Sequence, residues 1–303
     1  MNLPPDGSSN AATVSVTYET SSGGRTNYSF VVANPRLWSP ETPALHSVEV
    51  GGETYRYGIR DVRLTADDGL HLNGRRVQLR GVCLHADGGM FGAAFGRSAM
   101  KRQLLTMKDM GVNAIRTSHN PPSPPFLDLC DEMGFLVLDE GIDKWNGVAG
   151  LPPGANLEEY VTRNLRTFVR RDRNHPCVFA WSIGNEIPAR SEARPDGLTR
   201  ERCRAFRAAV LAEDPTRPVG NCHCEPSLIE SGILEDMDFT GWNYQNSFAA
   251  MHAAYPHKPV LMSESASAAF ISGLLDGICP GVPGEPGHVL CNLYVTDICF
   301  QNP

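Results

Sequence analysis

The sequence predicts an α/β chain: a (β/α)8-type barrel without a recognisable last β/α unit, preceded by a small β-sandwich. Three observations lead there. The first ~65 residues alternate apolar and polar side chains with period two and are broken by turn residues. From residue 77 a strand, a loop and a helix recur, giving seven such units in about 190 residues. Each predicted strand ends in a polar cluster, which is where a parallel barrel gathers its functional side chains.

The elements follow in order. Thr13–Tyr18 alternates cleanly, the turn Ser21-Ser22-Gly23-Gly24 follows, and Tyr28–Val32 alternates again. Pro35, Pro40 and Pro43 mark an extended connection before strands at Ala44–Val50 and Thr54–Leu64. Asn73-Gly74, between Leu72 and Arg75, is a hairpin signal because both turn residues accept positive φ. Val77–His85 is the first barrel strand. Ser98 is placed to cap a helix over 99–110, and Gly111 to end it. Asn113–Ser118 is a strand, Ser123-Pro124 opens a helix that Gly134 closes, and Phe135–Asp139 is a strand again. Helices 157–173 and 199–213 alternate with strands 178–183 and 219–222, and strands 239–243 and 259–263 complete the count. Parallel strands need such crossovers. An open doubly wound sheet satisfies the same pattern, but no G-x-G-x-x-G turn follows the first strand, which favours the barrel. The expected domains are 1–66 (sandwich), 67–270 (barrel) and 271–303, a Gly-, Pro- and Cys-containing tail.

Composition narrows the function. Hydrophobic residues make up 41 % and charged residues 20 % of the 303, as in a globular chain with a core. The net charge is −7, from 27 basic and 34 acidic residues, and no basic block stands out, so no nucleic-acid partner is expected. No apolar run approaches the roughly 20 residues that cross a bilayer, so no membrane partner is expected either. MNLPPDGSSN has neither the basic region nor the apolar core of a signal peptide. Oligomeric state is left open, a homo-oligomer included. The nine cysteines are too scattered for a disulfide scaffold. Cys222-His223-Cys224 is a poor metal motif, because alternate residues of a strand face opposite ways.

The strand ends carry His85 and Asp87; Arg116, His119 and Asn120; Asp139 and Glu140; Asn185 and Glu186; His223; Asn243 and Tyr244; and Glu264. Glu186 and Glu264 close two apolar strands three apart in the count, so a barrel sets them across its mouth. Two carboxyl groups flanking one bond suit glycoside hydrolysis, in which one donates a proton and the other attacks or activates water. Taken singly, each residue has a plainer reading. A strand-end glutamate is more often a loop salt bridge, Asp139-Glu140 equally well bonds Arg116 or backbone amides, and His85 alone suits a satisfied buried imidazole.

Together, from about residue 35 to 270, the chain resembles glycoside hydrolase family 2, which includes β-galactosidases, β-glucuronidases and β-mannosidases. The segments NPRLWSPETPALHSVEV and YGIRDVRL resemble the end of the family's immunoglobulin-like domain. LNGRRVQLRGVCLHAD, NAIRTSHNPPSPPFLDLCDEMGFLVLDEGIDKW, RDRNHPCVFAWSIGNE and KPVLMSES resemble its barrel signatures. The resemblance implies an exo-β-glycosidase that retains configuration, with Glu264 as nucleophile, Glu186 as acid/base and carboxyl groups about 5–5.5 Å apart. It implies that Asn185 holds the sugar 2-hydroxyl, His119 binds sugar, Arg116 lies beneath the nucleophile and Tyr244 hydrogen-bonds it. His85 and Asp87 then form the substrate-facing end of the first strand, with Asn120 beside His119. The expected partner is an oligosaccharide or other glycoside, most like a β-galactoside. No lysine follows Lys258 and no N-x-K occurs, which speaks against the basic cluster of β-glucuronidases. No cofactor is expected, although some relatives bind magnesium near the acid/base.

The chain departs from that pattern at both ends. The resemblance implies a jelly-roll domain ahead of the sandwich, and an eighth β/α unit after Glu264. Residues 273–287 instead hold five glycines and three prolines, which make no barrel helix, although His288–Phe300 is apolar enough for a strand. The tail is read as foreign sequence. Two other functional classes are weighed: a catalytically inactive carbohydrate-binding or scaffold homologue, and a barrel aldolase. The aldolase reading is weak, since Lys101, Lys108, Lys144 and Lys258 all fall off the strand ends.

Overall fold

The computed structural model describes residues 11–19, 25–86, 92–94, 96–145, 154–244 and 247–265, and the backbone of three two-residue strands, Phe270–Ile271, Leu290–Cys291 and Leu293–Tyr294. Asp87 and most of the 271–303 tail lie outside them.

Seven consecutive parallel strands form the barrel wall: β1 (Gly81–Leu84), β2 (Ala114–Thr117), β3 (Leu136–Glu140), β4 (Val178–Asn185), β5 (Val219–His223), β6 (Phe239–Asn243) and β7 (Val260–Glu264). They are joined by α1 (Arg97–Asp109), α2 (Pro124–Met133), α3 (Leu157–Asp172), α4 (Arg200–Leu211), α5 (Ser227–Glu230) and α6 (Phe248–Ala254). Strand order equals chain order, as in a barrel built from successive strand–helix units. Apolar helix faces cover the wall: Leu104 and Met107 of α1, Phe126 and Leu127 of α2, Val161 and Leu165 of α3, and Phe206 and Val210 of α4 are all buried.

Helix ends largely follow the local chemistry. Ser123 precedes Pro124 at the first turn of α2, and Gly134 ends it at φ 71°. Asn156 caps α3 and Thr199 caps α4, each side chain accepting the N–H three residues on. Ser98 does not cap α1. The helix starts two residues earlier than expected, at Arg97, with Gly96 at the cap position and no side-chain cap.

The wall is nearly closed. Cys83 of β1 donates its thiol to the carbonyl of Ser263 of β7 at 3.2 Å, across the gap where an eighth strand would lie. Leu293–Tyr294 pairs with the other edge of β1, but antiparallel, unlike a barrel strand. Among the described residues no strand pairs with the outer edge of β7.

Ahead of the barrel, strands Ala11–Glu19 and Arg25–Ala33 form one hairpin and His46–Val50 and Glu53–Tyr57 another. Val62–Thr65, Gly69–Leu72 and Arg75–Arg76 make a third small sheet, turning at Asn73 (φ 54°) and Gly74 (φ 76°). The run expected as one strand over 54–64 is therefore broken. At Gly58 a Cβ would come within 2.6 Å of Pro176, and Ile59 leaves its strand to bond Trp38 N–H. This is where the sandwich seats on the barrel. Buried Trp38 donates its indole N–H to Asp131 O at 2.9 Å, and Arg56 bridges Asp128 and Glu132 of α2.

Candidate active site

In β5 and β6 the inward residues are identified by what a side chain there would meet. A Cβ on Gly241 would strike Cys222 Sγ and Ser263 Oγ, so Gly241, Cys222 and Ser263 face the barrel axis. Alternation then turns His223 outward, where it is buried, and burial pushes its imidazole down to about 3. Cys222 and His223 thus face opposite ways, as the strand period requires. The six described cysteines are free thiols.

Arg116, fully buried in β2, is the hub of the barrel mouth. Its Nη1 donates to Glu264 Oε1 at 2.6 Å and its Nη2 to Asn185 Oδ1 at 2.8 Å. Nε and Nη2 also grip both oxygens of Glu140 at 2.9–3.1 Å. Burial works against its charge, but Cys222, Glu140, Cys83 and Glu264 hold the guanidinium well above its ordinary pKa. Glu140 also receives Ser182 Oγ at 2.8 Å and His119 Nδ1 at 2.7 Å. Burial pushes the Glu140 carboxyl up; Arg116 and His119 more than reverse this, and it lies below the usual carboxylate range.

Glu264 ends β7, buried, with His119 Nε2 3.4 Å from the same Oε1 that Arg116 holds. Glu186 follows β4 with φ 49°, a conformation in which a non-glycine residue is strained. Its N–H donates to Cys222 O at 2.8 Å, which ties the turn to β5. Its Oε1 accepts Asn243 Nδ2 at 3.1 Å, and its Oε2 faces Lys144 Nζ at 3.6 Å. Asn243 also donates to Asn185 Oδ1 at 3.0 Å and receives Ser263 Oγ at 2.6 Å. The two glutamates are thus joined by an unbroken hydrogen-bonded path: Glu264, Arg116, Asn185, Asn243, Glu186.

The remaining expected residues fall as follows. His85 meets His119 edge to face at 5.2 Å between ring centres. Burial and the neighbouring His119 push its pKa down. Asn120 turns back on Thr117, its N–H donating to Thr117 O at 3.2 Å. Tyr244 also has positive φ, 60°; its main-chain N–H donates to Glu264 O at 2.5 Å and its side chain is exposed at the mouth. Asp87 is outside the described residues.

Sequence reasoning left out several side chains the structure brings in. From the sequence Glu140 has only a structural role, Asn243 stands at a strand end without one, Lys144 falls off the strand ends, and Asp143 and Ser182 give no signal. Glu140 had a visible signal in its place at the end of an apolar strand. Its neighbour Asp139 takes the opposite, outward face, where burial and the charge of Asp172 push its carboxyl well above the ordinary value.

Comparison with known proteins bears on most of the chain. Residues 62–276 match the model of the TIM barrel domain of the family 2 glycosyl hydrolases, and residues 2–60 match a second domain of that family. Beta-galactosidase BoGH2A of Bacteroides ovatus is 38 % identical over 284 residues, 80 % of this chain and 33 % of that protein. A putative beta-glucuronidase of Formosa agariphila is 38 % identical over 224 residues, 70 % of this chain and 20 % of its own length. A solved family 2 member from Bacteroides cellulosilyticus superposes with a TM-score of 0.71 at 29 % identity, over 85 % of this chain and 39 % of that one. The chain thus spans a third or less of the length of these curated relatives.

Proposed function

The chain belongs to family 2 of the glycosyl hydrolases, and on that premise we propose that its barrel mouth is the catalytic centre of a retaining exo-β-glycosidase. The observation that carries the reading is the hydrogen-bonded path from Glu264 to Glu186 through Arg116, Asn185 and Asn243.

In the first step Glu264 attacks the anomeric carbon of a terminal β-linked sugar. Glu186, protonated, gives its proton to the glycosidic oxygen; the C1–O bond breaks and the alcohol leaves. In the second step Glu186, now a carboxylate, takes a proton from water as that water attacks C1. The bond to Glu264 breaks, and both side chains return to their starting states. Two inversions give net retention. Arg116 supports this by setting a positive charge beside the attacking carboxylate. Asn185 spends its carbonyl on Arg116 and Asn243 and one amide hydrogen on Asp143, and its second amide hydrogen is assigned to the sugar 2-hydroxyl. His119, His85, Asn120, Tyr244 and Asp87 are assigned to the sugar.

The favoured substrate is a β-galactoside, after the naming of several relatives. β-Glucuronides and β-mannosides are the alternatives. Lys258 supports a neutral sugar, because its ammonium is buried against the carbonyls of Glu235 and Met237 and is not offered to a sugar carboxylate. A second reading, sugar binding without turnover, draws on the unpaired outer edge of β7 among the described residues.

Hydrolysis of an aryl β-galactoside tests the roles. Glu264→Gln is expected to abolish turnover. Glu186→Ala is expected to cost about 10²–10⁴-fold with a poor leaving group and far less with a nitrophenolate that needs no proton. Wild-type turnover by Glu264→Gln would overturn the assignment. Galactose binding with no hydrolysis by the unmodified chain would favour the second reading.

A further inference from the structure

Beside Glu186 the chain builds a second feature, from the segment that leaves β3. Lys144 Nζ lies 3.3 Å from Asp143 Oδ1 and 3.6 Å from Glu186 Oε2. Both carboxylates are fixed from elsewhere. Asp143 O accepts Asn185 N–H at 2.9 Å and Asp143 Oδ1 accepts Asn185 Nδ2 at 3.1 Å, so Asp143 is tied to the residue preceding Glu186. Glu186 is held by Cys222 O and Asn243. The two carboxylates therefore converge on one point whatever occupies it. Two convergent carboxylates with one side open to water are a set that magnesium commonly takes.

The occupant here is an ammonium. It lies within reach of both acids, at distances longer than a tight ion pair, and its side chain is 43 % exposed. A divalent cation bound to both carboxylates would share that point with a like charge, so the residues present do not fit magnesium, and no step above passes through one.

We propose that the Lys144 ammonium is the resident cation of this acid/base centre, holding the place between Asp143 and Glu186 that a divalent metal would need. The proposal rests on reading Glu186 as the proton donor, since a cation there bears on catalysis only in that role. Lysine is suited to this place because it is a compact point charge on a flexible stem. Lys144 is thus a positioning residue, acting through Glu186.

Metal binding tests this without turnover. Thermal unfolding of the full chain is followed with and without millimolar Mg²⁺ or Mn²⁺, and Mn²⁺ binding is read by paramagnetic resonance. The unmodified chain is expected to show neither a shift of its midpoint nor bound Mn²⁺. Lys144→Glu, which puts a third carboxylate at the same point, is expected to bind Mn²⁺ at least tenfold more tightly and to gain thermal stability with metal. Adding Glu186→Gln is expected to remove that gain. Lys144→Gln, uncharged and of similar length, carries the same reading where the glutamate variant does not fold. Mn²⁺ bound by the unmodified chain and lost in Glu186→Gln would overturn the proposal. So would a lysine variant that folds and gains no metal response. Failure of the glycosidase reading would show instead as a wild-type rate in Glu264→Gln, leaving the metal titration intact.

Discussion

Arg116→Met is the perturbation with the largest predicted consequence. It removes a fully buried guanidinium that donates six hydrogen bonds, three to Glu140 and one each to Glu264, Asn185 and the Cys83 sulfur. Removing one partner of a buried ion pair costs about 3–5 kcal/mol, because the charge left behind has neither water nor counter-ion. Of a domain stability of about 5–15 kcal/mol that is a large share. At about 2–4 °C per kcal/mol for a chain of this class, it lowers the unfolding midpoint by roughly 6–20 °C. The pH dependence should change as well. Glu140 is depressed below its ordinary value of 4.5 in the folded chain, so its contribution is full above pH 4.5 and is lost as pH falls through the depressed value. Without Arg116 only His119 and Ser182 oppose burial, so the Glu140 carboxyl rises and the variant should lose less stability than the unmodified chain as pH falls from 7 toward 4. Glu140→Gln added to Arg116→Met should recover part of the loss. Urea unfolding from pH 7 to 4 reads all three effects. A loss below about 1 kcal/mol with an unchanged pH slope would refute the hub.

Other outcomes follow from particular contacts. Gly134→Ala should destabilise at least twice as much as Gly111→Ala, by denaturant midpoint. Both glycines have positive φ, which costs alanine about 1 kcal/mol, but a Cβ at Gly134 also runs into the carbonyl of Pro40, whereas at Gly111 it meets nothing within 4 Å. Burial raises the Asp214 carboxyl, but Arg217 and Thr216 bring it down to about 2. Its contribution of about 2 kcal/mol is present above pH 3.8 and fades as pH falls toward 2, so Asp214→Asn should flatten the acid limb of stability over that window.

Much of this was legible in the sequence, for local reasons. The join of helix, glycine and strand at Gly111 and Gly134 needs only left-handed φ after a helix, and both glycines have it, at 83° and 71°. Asn73-Gly74 was readable because two positive φ angles in a row demand such residues. Glu186 and Glu264 were readable as carboxylates ending apolar strands. What was hidden depends on long-range contact. The break at Gly58 is set by Pro176, over a hundred residues away. Glu140 and Asp139 are adjacent and chemically alike, and only the facing of β3 gives one to Arg116 and the other to Asp172. Glu186 and Tyr244 hold left-handed φ although neither is a glycine or asparagine, so the residue type does not announce it. Lys144 was unremarkable in the chain, because Asp143 and Glu186 are brought to it by β3 and β4.

The proposed mechanism turns on Glu264 attacking the sugar. A 2-deoxy-2-fluoro galactosyl donor with a good leaving group slows the second step and leaves the sugar on the attacking carboxylate. Digestion and mass spectrometry then find it. One fluorosugar is expected on the peptide containing Glu264, and none in Glu264→Gln. A label on any other residue, or an equal label in Glu264→Gln, would contradict that mechanism.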